Sequence, residues 1–88
     1  MKTKLYTLYD TVTEEAGMIF EARNDHLAHR IFDGIEEWPK GTTKKDYKLL
    51  KLGCFDKGED GSMPLLHAHS KAMDITRVRP TEEEHEVA

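Results

Sequence analysis

Five lysines, Lys40, Lys44, Lys45, Lys48 and Lys51, crowd into positions 40–51, with a single acid, Asp46, among them. Ammonium groups at this density suit phosphate neutralisation, and Tyr47 in their midst offers a flat ring on which a base can stack. Tyr6 and Tyr9 would join that ring if the N-terminal strand lies beside the basic one. A sheet face that mixes lysines with exposed aromatic rings is a recurring way of holding single-stranded nucleic acid. The same residues also fit a plainer arrangement, a solvated lysine face with the tyrosines filling the edge of the core.

Other chemistries are weaker. His67 and His69 would share one face of a strand, yet two imidazoles fall short of a zinc site, and no spaced set of cysteines or carboxylates completes one. Cys54 follows Leu50, Leu52 and Gly53, the setting of a packed, inert thiol rather than a nucleophile. Asp10, Glu14, Glu15, Glu36 and Glu37 form no acid–base pair. Gly58 and Gly61 belong to an acidic turn, the wrong charge for a phosphate cradle. The expectation is a protein without catalytic residues, bound metal or cofactor.

The overall net charge of −4 hides a segregation. Residues 80–88 contain Glu82, Glu83, Glu84 and Glu86 and no base, so residues 1–79 hold equal numbers of acids and bases, 13 of each. An anionic partner is therefore compatible with the body of the chain. The acidic tail would compete with such a partner for the lysines, or simply keep the protein soluble. Charged residues make up 34% and hydrophobic ones 38%, a balance that favours a folded soluble domain over a disordered chain. No apolar run is long enough to span a bilayer, so no membrane partner is expected. One cysteine excludes an intramolecular disulfide.

These residues must be positioned by a small number of elements. Asp46–Asp56 is the richest strand-forming run, closed at both ends by aspartate, and is expected to lie centrally in a sheet. Lys4–Asp10 reads as a first strand and Met18–Arg23 as a second, with Met18, Phe20 and Ala22 facing inward. Asn24 or Asp25 would cap a helix that runs to Trp38, burying Leu27, Ile31, Ile35 and Trp38 as one stripe that Ala28 and Phe32 widen, and ending at Pro39 and Gly41. Residues 57–62 read as a turn, Pro64–His69 as the start of a fourth strand, and Ser70–Val78 as either a short helix or an edge strand. The fold class that follows is a single α+β domain over residues 1–79. It is a mostly antiparallel sheet of three to four strands in ββαβ order, possibly with a fourth strand, and one main helix packs on one face. Residues 80–88 form an acidic disordered tail. So small a sheet leaves edges and one face bare, which points to a homodimer.

Three blocks carry a resemblance. Lys4-Leu5-Tyr6-Thr7-Leu8-Tyr9-Asp10 is similar to the opening of the small non-structural protein of gokushoviruses, single-stranded DNA phages of the Microviridae. Ile19-Phe20-Glu21-Ala22-Arg23-Asn24-Asp25, leading into a helix with Ala28 and Arg30, resembles its next block. Asp46-Tyr47 through Leu52-Gly53-Cys54-Phe55-Asp56 is like its Tyr…Leu-Gly-x-Phe-Asp pattern. The resemblance implies a protein made in the host bacterial cytoplasm, absent from the virion, and acting in single-stranded DNA synthesis or in DNA handling before packaging. It supplies no catalytic residues. The binding set it makes plausible is Lys40, Lys44, Lys45, Tyr47, Lys48 and Lys51, with Tyr6 and Tyr9. The alternative is an adaptor for a viral or host replication protein, using Asp33, Glu36, Glu37 and Glu82–Glu84.

Overall fold

Threonine, tyrosine and leucine fill most of the first ten positions, and Lys2–Asp10 forms strand β1. The chain reverses through residues 11–14, where the Asp10 carboxylate accepts the backbone N–H groups of Val12 (2.8 Å) and Thr13 (3.2 Å). Strand β2, Glu15–Ala22, returns antiparallel to β1. The structure, a computed structural model, describes residues 2–58 and 61–77. Beyond the helix α1, Asp25–Asp33, a 3-10 turn at Lys44–Asp46 leads into β3, Tyr47–Asp56, and then β4, Leu65–Asp74. The four strands form one antiparallel sheet in the order β2-β1-β3-β4. This is the expected α+β architecture with its fourth strand present and β3 at an inner position. The proposed tail, residues 80–88, lies outside the described residues, as does Val78.

Cross-strand pairing sorts the side chains into two faces. Tyr6 lies opposite Phe20 and Lys51, Leu8 opposite Leu49, and Asp10 opposite Tyr47, so these residues share the face that α1 covers. The core gathers there from Tyr6, Leu8, Ala22, Ala28, Phe32, Tyr47, Leu49 and Ile75. Partners on the opposite face are Tyr9 with Lys48, Thr7 with Ile19 and Leu50, Leu5 with Glu21 and Gly53, and Phe55 with Thr3 and Leu66. No described helix or strand lies over that second face, although Thr3 and Thr7 are buried on it among larger neighbours. Ile19 is 62% and Leu66 54% exposed on it.

The helix departs from the expected stripe. Asn24 is the cap, its side-chain oxygen accepting the Leu27 N–H at 2.9 Å. The helix stops at Gly34, whose N–H closes on the Arg30 and Ile31 carbonyls, and does not reach Trp38. It buries Ala28, His29 and Phe32, leaving Leu27 and Ile31 on the exposed side. The first turn sets this rotation. Asp25 accepts the Tyr6 hydroxyl at 2.6 Å and faces the Lys51 ammonium at 3.4 Å, which turns Ala28 onto the sheet next to Ala22. Ile35 and Trp38 still reach the core, but along a non-helical segment; Trp38 stacks on Tyr47 at 4.6 Å and meets Phe32 edge-on at 5.9 Å. Met18, expected inside, is 69% exposed beside the register shift in the β1–β2 pair.

Gly53 is fixed by close approach. A Cβ there would strike the His67 carbonyl oxygen and lie 2.8 Å from the Ala68 Cα across the β3–β4 pair. Immediately beyond, β4 bulges: Ala68 pairs with Gly53 and Met73 with Lys51, so residues 69–72 span what Leu52 alone spans on β3. His67 therefore pairs with Cys54, while His69 falls among the four residues of β4 that the register shift leaves without a partner on β3. Among the described residues no cluster of three His, Cys, Asp or Glu is placed to hold a metal ion, and no helix is long and apolar enough to cross a membrane.

Candidate nucleic-acid interface

The fold divides the eight residues read as a basic, aromatic set. Tyr6 is fully buried, its ring stacked on Phe20 at 5.7 Å and its hydroxyl engaged by Asp25, so it cannot present a face to a base. Tyr47 is also buried, sandwiched against Trp38 and with its hydroxyl 3.1 Å from that of Thr42. Both corrections have one cause: even-numbered β1 positions and Tyr47 face the helix, where apolar area is most favourably removed from water. Lys51 is on that face too, its side chain 16% exposed and committed to Asp25. Burial alone would raise the Asp25 carboxyl, but the Tyr6 hydroxyl and the Lys51 ammonium outweigh it and hold the group below its ordinary value.

Lys44 leaves the set as well. It pairs with Asp33 at 2.6 Å and sits 5.0 Å from the centre of the Phe32 ring, fastening the chain entering β3 to the helix. Lys40 is exposed beyond Pro39, away from the strand pairs. Lys45 and Lys48 converge with Tyr47, Arg77, Thr76 and Asp74 on a cleft of about 380 Å³. Asp74 faces Lys48 at 3.7 Å. Its carboxyl is lowered first by the Thr76 hydroxyl, against some burial, and further by the Thr76 N–H and by Lys48. The cleft thus holds three cations and one fixed anion. A ligand phosphate would compete with a surface ion pair of small net strength rather than with a buried one.

Tyr9 is the tyrosine that the open face retains. It stands directly across from Lys48, at the end of the sheet where the cleft lies. At the other end Phe55, on the second central strand, borders a shallow apolar hollow of about 330 Å³ with Leu5, Ile19 and Leu66. Lys57 reaches Glu21 at 2.7 Å on its rim. The open face therefore carries one aromatic ring on each inner strand and an aliphatic middle, and at its Tyr9 end Lys48 links it to the cationic cleft, which Tyr47 also lines from the helix-covered side. Phe55 and Arg77 were absent from the expected set. Phe55 shares its parity with Gly53, the residue whose side chain would point at β4, and that parity is the sequence signal for its face. No signal marked Arg77, which joins the site only because β4 brings it alongside Lys48.

A protein-family model described as Phage ORF5 protein matches residues 3–74, which includes nearly all of β1 and every other element. The chain belongs to the Phage ORF5 protein family. It is thus a phage protein, and Tyr9, Phe55, the Asp25 network and Gly53 lie within the matched residues, while Thr76 and Arg77 of the cleft lie beyond them. Comparisons with curated proteins and with solved structures found no match.

Proposed function

We propose that this family member is the non-catalytic small non-structural protein of a gokushovirus, and that it binds single-stranded DNA with low sequence specificity in the host cytoplasm. The observation that carries the binding reading is the uncovered sheet face, with Tyr9 and Phe55 on its two inner strands and the Lys45–Lys48–Arg77 cleft beside Tyr9. The two rings lie six residue positions apart along the sheet, roughly 20 Å, so each can stack a separate base of one strand crossing the face, and stacking is indifferent to base identity. The cleft cations would take the backbone phosphates at one end. Because Lys44 and Lys51 are engaged elsewhere, stacking carries more of the affinity than a five-lysine patch would require.

Tyr9→Ala tests it. Loss of one stacking platform is worth about 1–3 kcal/mol, so the variant should bind a labelled oligothymidine at least about fivefold more weakly than the parent. Ile31→Ala, on the exposed side of the helix across the sheet, should bind as the parent does. Equal binding by parent and Tyr9→Ala removes the open face as the interface.

A second reading draws on the exposure of Ile19 and Leu66 on the same face. Two copies could bury these residues against each other, giving a homodimer through a self-complementary apolar surface. Sedimentation of the parent and of Leu66→Lys separates the readings. A parent dimer that the substitution dissociates assigns the face to a second copy, and a monomer leaves it free for DNA.

A further inference from the structure

On the helix-covered side, away from the open face, a second groove of about 350 Å³ lies between the β1–β2 hairpin and the segment that follows α1. Leu8, Met18, Ile35, Trp38 and Tyr47 form its apolar walls, and Met18 leaves most of its side chain in solvent. Three carboxylates, Asp10, Glu15 and Glu37, stand around them. Among the described residues no lysine, arginine or histidine lines the groove. Asp10 keeps its charge over the whole physiological range. Partial burial works against it, but the Val12 and Thr13 N–H groups prevail, so its carboxyl is held below the ordinary carboxylate value.

We propose that this groove docks a short segment of another protein that carries a bulky apolar side chain flanked by lysine or arginine. The charge pattern selects the occupant. An apolar floor offers the hydrophobic contribution, while a rim of three acids without a counter-cation attracts a basic flank and repels an acidic one. The chain's own tail is the wrong partner, since positions 80–88 carry four glutamates and no base. The basic loop of a second copy, Lys40–Lys45, supplies charge but no apolar anchor. The volume lies at the small end of the range for ligand sites, enough for one or two side chains, which fits a short linear segment better than a domain surface. The groove and the Tyr9 and Phe55 rings are on opposite sides of the sheet, while the groove and the cationic cleft share Tyr47. The inference does not rest on DNA binding, and either can fail without the other.

The test uses the full chain and three labelled peptides of equal length. One has leucine and tryptophan between lysines, one replaces the lysines with glutamate, and one replaces the apolar pair with serine. Fluorescence anisotropy gives affinity, and chemical-shift changes at the Trp38 indole and Met18 methyl locate the site. The first peptide should bind in the micromolar range and shift both probes, and the other two should bind at least about tenfold more weakly. Glu15→Lys combined with Glu37→Lys, both at exposed positions, should weaken the first peptide about tenfold and leave the circular dichroism spectrum unchanged. Met18→Asp, also exposed, should do the same by spoiling the apolar wall. The inference is overturned by failure of the first peptide to bind, by comparable binding of the glutamate peptide, or by shifts confined to residues outside the groove.

Discussion

Removing a single hydroxyl, Tyr6→Phe, isolates the contact that sets the helix on the sheet. The ring keeps its place against Phe20, and the 2.6 Å hydrogen bond to Asp25 is lost. The acceptor is an ionised carboxylate whose other close partner, Lys51, is itself mostly buried. A hydrogen bond to a charged group in such a site contributes about 1.5–3 kcal/mol. At about 2 kcal/mol the melting temperature of a domain this size would fall by roughly 8–16 °C. The effect should also depend on pH in a definite direction. The Asp25 carboxyl is held below its ordinary value of 3.8 in the folded protein, so its contribution is present above that value and is lost as pH falls through the folded value. The variant lacks part of what lowers this group, and its deficit should be full at neutral pH and shrink below about pH 4. Urea unfolding of both proteins from pH 7 to about pH 3 measures this. A deficit under about 0.5 kcal/mol at neutral pH, or one of equal size at both ends of the range, would refute the placement of Asp25 in this network.

Three further substitutions test how the layers fit. Gly53→Ala forces a methyl group into the His67–Ala68 backbone and should cost about 1–3 kcal/mol, with hydrogen-exchange protection lost first along the β3–β4 pair. Phe32→Ala should cost about 3–5 kcal/mol, whereas Ile31→Ala, on the 40% exposed side, should cost under about 1 kcal/mol; denaturant midpoints showing the reverse order would restore the other helix face to the core.

The strands were legible because their side chains alternate or their runs are bounded by turn formers. Asp46 and Asp56 bracket the inner strand almost to the residue, and Asn24 announces the helix start by its capping chemistry. The helix end was not legible from spacing alone. Leu27, Ile31, Ile35 and Trp38 fit a helical stripe, but Gly34 interrupts it, and a local stop outweighs a period that continues beyond it. The rotation of the helix was hidden because it depends on Tyr6 and Lys51, which come from two different strands. The candidate site suffered in the same way. A lysine's freedom is a tertiary property, and nothing in positions 40–51 says that Asp33 claims Lys44 or that Asp25 claims Lys51. Tyr6 and Tyr9 differ by an odd number of positions, so one strand was bound to place them on opposite faces. Which one faced the helix was decided by the pairing of Tyr6 with Phe20.

The central claim is that the open sheet face binds single-stranded DNA through stacking, aided by a cleft of three cations. Its most direct test is the salt dependence of oligothymidine binding, followed by fluorescence anisotropy on the parent and on Tyr9→Ala. Three phosphate contacts from Lys45, Lys48 and Arg77 give a logarithmic slope of about −2, so affinity should fall about 20-fold between roughly 50 and 200 mM salt. Tyr9→Ala should keep that slope and bind more weakly at every salt concentration. Absence of binding at low salt by a folded protein, or binding that Tyr9→Ala leaves untouched, would contradict the account.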